Sequence, residues 1–281
     1  MCEVTIQIVS YNSCERLRQT LTAVVENCAD VNHEIIVVDN ASQDDTLDML
    51  AEQFPDVTVI ANPKNVFFSP AHNQASQQAN GEYLLILNSD ITLPPGVLRK
   101  MVDYLNTQTD AGCCSPLLAN EDGVQTSYWN ERTPWQLARM RAPFANLPKL
   151  KNGVFNPPLE TSGFGDEEAG FTDIASDACL LIRKELFERI GKYDERMQMY
   201  FTEDDICLRV RAHNYKVAVL KSVQVFHEGG HSTRKVKKLS IVDIERKDQY
   251  IYFLKHRGRK DAMQSFVYGW LERICVLAAG K

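Results

Sequence analysis

The chain is 281 residues long, nearly twice the roughly 150 residues typical of one domain, so it holds two small domains or one large α/β domain with an extensive core. Hydrophobic residues make up 44% and charged residues 24%, an ordinary globular composition that excludes a wholly disordered or collagen-like chain. With 31 Lys and Arg against 37 Asp and Glu, the net charge of −6 argues against a dedicated nucleic-acid binder.

The first ninety residues alternate two periodicities. Val4 to Ser10 reads as a buried strand, and Leu17, Leu21, Val24, Val25 and Cys28 then fall on one face of a helix. Glu34 to Asp39 is a second short β-branched run. Ser42, Asp44 and Asp45 are placed to cap a helix carrying Leu47, Leu50 and Phe54. Val57 to Ile60 is a third strand, Ser69-Pro70 opens another helix, and Tyr83 to Leu87 is a fourth strand. Such alternation predicts a mostly parallel sheet flanked by helices, with ligands beyond the carboxyl ends of its strands. Those ends read Ser10-Tyr11-Asn12, Asp39-Asn40 and Asn88-Ser89-Asp90.

A helix follows Pro94-Pro95-Gly96 to about Leu105, and Gly112 to Leu118 is a strand. Residues 120 to 172 then lose regular patterning, the mark of a binding loop. Order returns with a strand in DIASDACLLI (173 to 182), the helix KELFERI, an acid-led helix from about Glu203 to His213, and a strand near Lys216 to Leu220. From 239 onward the pattern is helical. Residues 234 to 260 carry a local +7, leaving −13 on the rest.

The eight cysteines form no CxxC pair and no zinc spacing, as expected of reduced thiols in a reducing compartment. The N-terminus has no basic segment followed by an apolar stretch, and no 18-residue apolar run occurs, so the expected location is cytoplasmic or peripheral on a membrane's inner face.

Several side chains have the chemistry of a site. Asp39, at the end of an apolar strand, can accept from a nucleobase N–H or a ribose hydroxyl; helix capping is its ordinary alternative role. The turn after the first strand, SYNSCER, has no glycine, which removes the dinucleotide-dehydrogenase reading, and no phosphate-binding P-loop occurs. Asp90 is placed either for turn chemistry or to hold Mg²⁺ or Mn²⁺ together with a diphosphate. Glu203, Asp204 and Asp205 stand at a helix start, where the dipole favours acids, yet one carboxylate suffices for that and another is available as a general base. His227 and His231 flank Gly-Gly, a setting that suits a metal or phosphate contact.

Together these strings resemble glycosyltransferase family 2, the inverting nucleotide-sugar transferases of the glycosyltransferase A fold, over residues 4 to 235. The resemblance rests on IVSYNS, IIVVDNASQDDT, NPKN with GEYLLILNSD, ACLLIRKELFERIGKYDE, YFTEDDICLRVRAHNYKV and VFHEGGHS. It is nearest to the bacterial branch containing rhamnosyltransferases of polysaccharide assembly. The resemblance implies a catalytic domain over 1–235, divided into a nucleotide-sugar-binding half (1–118) and an acceptor and catalytic half (119–235), then a basic amphipathic helical tail (236–281). Ser10, Tyr11 and Asp39 would line the nucleotide pocket, with Asn65, Asn73 and Ser89 around it. Asp90 would bind the metal, although Asn88 replaces the first acid of the family's D-x-D motif, and His227 would be the second ligand in a motif completed by Gly230 and Ser232. The base is Glu203 or Asp204, with Asp205 structural. Asp177, where many relatives carry glycine, would meet a sugar.

The implied reaction is a single inverting displacement on a nucleotide-diphosphate sugar by a saccharide or lipid-linked saccharide hydroxyl, assisted by Mg²⁺ or Mn²⁺. The basic tail would rest on an anionic membrane surface. Nucleic acid is not an expected partner, and self-association is left open. Two other readings compete: a sugar-1-phosphate nucleotidyltransferase, which needs a glycine-rich basic loop after its first strand, and a non-catalytic scaffold of the same fold.

Overall fold

A computed structural model describes residues 2–140, 160–161, 169–228 and 238–278. The first half lays down β1 (Val4–Ser10), α1 (Cys14–Asn27), β2 (His33–Asp39), α2 (Thr46–Gln53), β3 (Thr58–Ala61), α3 (Phe68–Gln78), β4 (Tyr83–Asn88), β5 (Ile91–Thr92) and α4 (Val97–Thr107). After it come β6 (Ala111–Asn120), β7 (Gly123–Val124), β8 (Tyr128–Trp129), α5 (Pro134–Ala138), β9 (Glu160–Thr161), β10 (Ala169–Thr172), β11 (Ile174–Ala175) and β12 (Cys179–Arg183). The chain continues through α6 (Lys184–Arg189), α7 (Thr202–Ala212), β13 (Lys216–His227), α8 (Lys238–His256) and α9 (Arg259–Ala278).

The central sheet runs β3-β2-β1-β4-β12-β6-β13-β10-β9. β1, β2, β3 and β4 are mutually parallel, as the alternation predicts. β12 enters antiparallel between β4 and β6, so the sheet is mixed at its centre. β4 explains why the strands read as unbroken apolar runs. Leu85 and Leu87 enter the core beneath α1 and α4, whereas Leu84 and Ile86 enter the core beneath α6 and α7. A period of two buries both faces when helices cover both. Gly81 lets the turn before β4 lie against β1: a Cβ there would sit 2.4 Å from the Thr5 backbone nitrogen.

Four details depart from expectation. Val25 and Leu47 are exposed rather than buried, because each lies at the edge of its helix's apolar stripe. Ser42 and Asp44 do not cap α2. Their side chains accept hydrogen bonds from the backbone N–H of Asn12 and of Cys14, so the β2–α2 turn braces the β1–α1 turn. The stretch from 120 holds short elements, including α5 with a capping box between Thr133 and Gln136. Finally, β13 runs past Leu220 to His227, with a register irregularity between Leu220 and Gln224 that a periodicity search reads as an end.

The helical tail packs onto the rest of the chain. Tyr252 and Phe253 of α8 and Ala262 of α9 form a third apolar cluster with Leu137, Met197 and Phe201. Asp248 Oδ2 accepts hydrogen bonds from the backbone N–H groups of Gln198, Met199 and Tyr200, at 2.9, 2.9 and 3.1 Å. One carboxylate oxygen thus gathers the donors of the loop that leads into α7.

Candidate active site

The carboxyl ends of β1, β2 and β4 share one edge of the sheet, and their polar residues meet there. Ser10 Oγ lies 3.0 Å from Ser13 Oγ, which lies 3.3 Å from Ser89 Oγ, a buried hydroxyl chain joining the ends of β1 and β4. Asp39 is 1% exposed; its Oδ2 accepts from the Ser42 N–H at 3.0 Å, while its buried Oδ1 has no hydrogen-bond partner. A buried acceptor left bare costs about 1–3 kcal/mol, so an incoming N–H or O–H donor is stabilised there. Tyr11 is half-buried beside it.

Three residues in the turns that follow strand ends, Asn12, Ala41 and Phe67, none a glycine, have φ between 51° and 68°, as do Lys192, Phe201 and Asn214 elsewhere. Each such residue costs about 1–3 kcal/mol and persists only where its surroundings enforce it. Phe67 is held by Asn65 Oδ1, which accepts its N–H, and by Asn40 Nδ2, which donates to its carbonyl. Asn65 therefore shapes the segment over the crevice.

Asp90 and His227 come together as the motif predicts. β5 pairs with the end of β13, and His227 Nε2 stands 3.5 Å from Asp90 Oδ1. Gln125 brackets the imidazole: its Nε2 donates to the His227 carbonyl and its Oε1 accepts from Nδ1, both at 2.8 Å. That orientation places the proton on Nδ1 and leaves the Nε2 lone pair facing a carboxylate oxygen. Burial lowers the His227 pKa, opposed by the Asp90 charge, so a proton does not readily fill the gap at neutral pH. A divalent cation fits it, with one carboxylate and one imidazole as protein ligands and diphosphate oxygens completing the shell. Among the described residues no group of three or more acidic, His or Cys side chains forms a closed metal cage. Glu228, the next residue, pairs with Arg16 of α1 and ties the end of β13 to the first turn. His231, Gly230 and Ser232 lie outside the described residues.

The three acids of α7 point to three destinations. Asp205 is fully buried and pairs with Arg209, Lys255 and His256, which outweigh burial and hold its carboxyl below the usual range. It ties α7 to α8 through Lys255 and His256. Asp204, 2% exposed, accepts from Trp129 Nε1 at 3.2 Å and from Arg132 at 3.1 Å. Burial raises its pKa, countered first by the Arg132 charge. Glu203 is half-buried, and the hydrogen bond its carboxylate accepts comes from the adjacent Thr202 Oγ1 at 3.2 Å. Burial, with the charges of Asp177 and Asp204 beside it, pushes Glu203 well above the ordinary carboxylate range.

Asp177 lies next to Ala178, whose carbonyl accepts the Asn88 N–H at 2.9 Å, so this group of acids adjoins the end of β4. Its Oδ2 accepts from Thr202 Oγ1 at 2.9 Å and from the Tyr193 hydroxyl at 3.1 Å. Burial raises its pKa to about 6 despite those bonds. Asn73, expected near the nucleotide, is engaged at both ends of its amide. Oδ1 accepts the Tyr193 N–H, and Nδ2 donates to the Tyr193 carbonyl and to Glu195, each at 3.0 Å. It fixes the residue whose phenol supports Asp177. Ser13, Gln125, Arg132 and Tyr193 escaped the sequence reading. Of these only Ser13, three residues beyond Ser10, carried a local signal.

A half-parallel sheet with polar strand ends, a carboxylate–imidazole pair just past β4 and an acid with a raised pKa at the start of α7 make up the candidate site, on the glycosyltransferase A-type fold. The family profile described as "Glycosyl transferase family 2" matches residues 5–191, and the chain belongs to that family. It is 24% identical over 241 residues to the N-acetylglucosaminyl-diphospho-decaprenol L-rhamnosyltransferase of Mycobacterium tuberculosis, covering 80% of this chain and 76% of that one. A hexosyltransferase of low-salt glycan biosynthesis from Haloferax volcanii is 24% identical over 230 residues, covering 80% and 67%. Among solved structures, GalNAc-T7 with UDP, GalNAc and Mn²⁺ superposes with a TM-score of 0.61 at 17% identity, over 99% of this chain and 58% of that one. The Pyrobaculum calidifontis mannosyltransferase PcManGT with GDP-Man and Mn²⁺ gives 0.59 at 17% identity, covering 99% and 74%. The chain is a glycosyltransferase of glycan biosynthesis, as the motifs implied. Among the described residues no helix is long and apolar enough to cross a membrane.

Proposed function

We propose that this glycosyltransferase moves a hexose, rhamnose in the first instance, from a nucleoside-diphosphate donor to a hydroxyl of a lipid-linked or free saccharide during assembly of a bacterial surface polysaccharide. The observation that carries this reading is Glu203, partly buried and with a raised pKa, tied through Thr202 to Asp177, whose neighbour Ala178 pairs with Asn88 at the end of β4, two residues before Asp90. Resemblance to the mycobacterial rhamnosyltransferase supports the sugar and the acceptor class.

In the mechanism, Ser10, Tyr11 and Asp39 hold the nucleoside, the bare Asp39 Oδ1 accepting a donor hydrogen from base or ribose. Ser89 belongs to the hydroxyl chain lining the floor beneath the diphosphate. Asp90 and His227 would hold Mg²⁺ or Mn²⁺, which when bound supplies positive charge that stabilises the departing diphosphate. Glu203 removes the proton from the acceptor hydroxyl. That oxygen forms a bond to the anomeric carbon as the bond to the diphosphate oxygen breaks on the opposite face, so the configuration inverts. The elevated pKa makes Glu203 a stronger base than a solvated carboxylate once ionised. Asp177 and Asp204 raise it further by their charge.

The test is thermal unfolding with UDP, dTDP, GDP and CDP, each with and without Mn²⁺, on the wild type and on Asp90→Ala. A ligand at one hundred times its dissociation constant adds about 2.7 kcal/mol, a shift of several degrees. Stabilisation by one nucleotide that requires metal and is lost in Asp90→Ala supports the reading. No stabilisation by any of them favours a scaffold that keeps the fold.

A further inference from the structure

The last helix carries a surface that the catalytic reading does not use. α9 is 20 residues long, and Met263, Phe266, Val267, Trp270, Ile274 and Leu277 are each at least 40% exposed. At about 100° per residue these six fall within one stripe roughly 120° wide and some 21 Å long. The opposite face is already committed to the protein, where Ala262 and Ser265 are buried and Gly269 packs on Arg246. A groove of about 480 Å³ runs between the stripe and α8, lined by Arg246, Lys247, Tyr250, Met263 and Phe266, with Asp243 at its edge.

Charge around this stripe is sorted by sign. Arg259, Lys260 and Arg273 project from the apolar half of the helix, whereas Asp261 and Glu272 lie on the far half. The acid bordering the groove, Asp243, is paired with both Arg246 and Arg273 and leaves a net positive charge there. An exposed apolar stripe flanked by cations, with acids turned away, has the pattern of a helix lying in the plane of a lipid surface. A second copy of the same face would set cations against cations and bury the stripe under mutual repulsion. An anionic bilayer supplies the opposite charge.

We infer that α9 docks this enzyme on an anionic lipid surface, its six apolar side chains entering the headgroup region while Arg259, Lys260 and Lys247 meet lipid phosphates. The proposal stands apart from the catalytic assignments, and its test reads binding alone. The full chain is sedimented with vesicles of phosphatidylcholine, and with vesicles in which part of that lipid is replaced by phosphatidylglycerol. Wild-type protein pellets with the phosphatidylglycerol vesicles and is released by high salt. Trp270 fluorescence shifts to the blue and is quenched by lipids brominated near the headgroup. Val267→Ser with Trp270→Ser, and separately Arg259→Glu with Lys260→Glu, weaken partitioning more than about tenfold at roughly 1 kcal/mol per cation near the surface. Both variants keep the circular dichroism spectrum and nucleotide-dependent unfolding shift of the wild type, which separates this proposal from the donor-site reading. Failure to pellet, or equal pelleting of the variants, overturns it. A dimer in sedimentation velocity that Trp270→Ser dissolves overturns it in favour of a self-interface.

Discussion

Asp177 and Glu203 reach for the same hydrogen: Thr202 Oγ1 lies 2.9 Å from one carboxylate and 3.2 Å from the other. A hydroxyl has one proton to give, so with both acids ionised one of them faces a lone pair. The pair is most stable with a single negative charge, the situation of two carboxylates that titrate as a unit.

The linkage has a definite sign. An Asp whose folded pKa is raised from the ordinary range to about 6 binds its proton more tightly in the native state than in the unfolded chain. Its contribution to stability is full below about pH 4 and is lost as pH rises through 6. Asp177→Asn keeps an acceptor for Tyr193 and Thr202 and removes the charge. It is therefore expected to unfold at higher temperature than the wild type at pH 8, by about 1–3 kcal/mol, with the gap closing near pH 4. Equal gaps at both pH values would contradict the coupling.

Glu203 and Asp204 are separable by what each loses on neutralisation. Glu203→Gln is expected to cut turnover by about 10²–10⁴-fold while leaving nucleotide binding unchanged and, because it removes a buried charge beside Asp177 and Asp204, raising rather than lowering the melting temperature at pH 8. Asp204→Asn removes the carboxylate that accepts from both Trp129 Nε1 and Arg132, and is expected to cost about 1–3 kcal/mol of stability. Paired activity assays and urea titrations read both. A stable, inactive Asp204→Asn would move the base to that position.

Gln125 is expected to matter without touching substrate. Gln125→Leu removes the acceptor that holds the His227 proton on Nδ1, and loss of such a partner typically costs 10–100-fold in metal affinity. Titration calorimetry of Mn²⁺ in the presence of nucleoside diphosphate measures this. The wild-type response should vanish with a chelator.

Asp248→Ala takes away the oxygen that accepts three backbone donors, and a loss of about 1–3 kcal/mol is expected. Hydrogen exchange should quicken at Gln198, Met199 and Tyr200, with the β1–β2 core unaffected.

How much of this was legible in the sequence follows the range of the forces involved. β1, β2 and β4 are apolar runs bounded by polar strand ends, and the crevice over those ends was placed from periodicity alone. The meeting of Asp90 with His227 spans the sheet, yet a family motif announced it. By contrast, the choice between Glu203 and Asp204 depends on Trp129 and Arg132, more than seventy residues away. Asn73 finds its partner at Tyr193, 120 positions along the chain, and no local pattern encodes such a pairing. Ser42 and Asp44 misled for a related reason: capping residues also serve neighbouring turns, and only the fold decides which N–H arrives first.

The match to the family profile ends at residue 191, twelve residues before the candidate base. Thr202, Glu203 and His227 follow it, as does α8, whose Asp248 and Tyr252 hold the loop containing the strained Phe201. A chain cut at that boundary would keep Ser10, Asp39 and Asp90 but lose Glu203, His227 and the Asp248 brace behind the loop into α7. Such a fragment would hold one half of the candidate site without the other. The last third of this chain thus carries half of the candidate site, and any shortened or swapped version must carry the start of α7 and its helical support as a single unit.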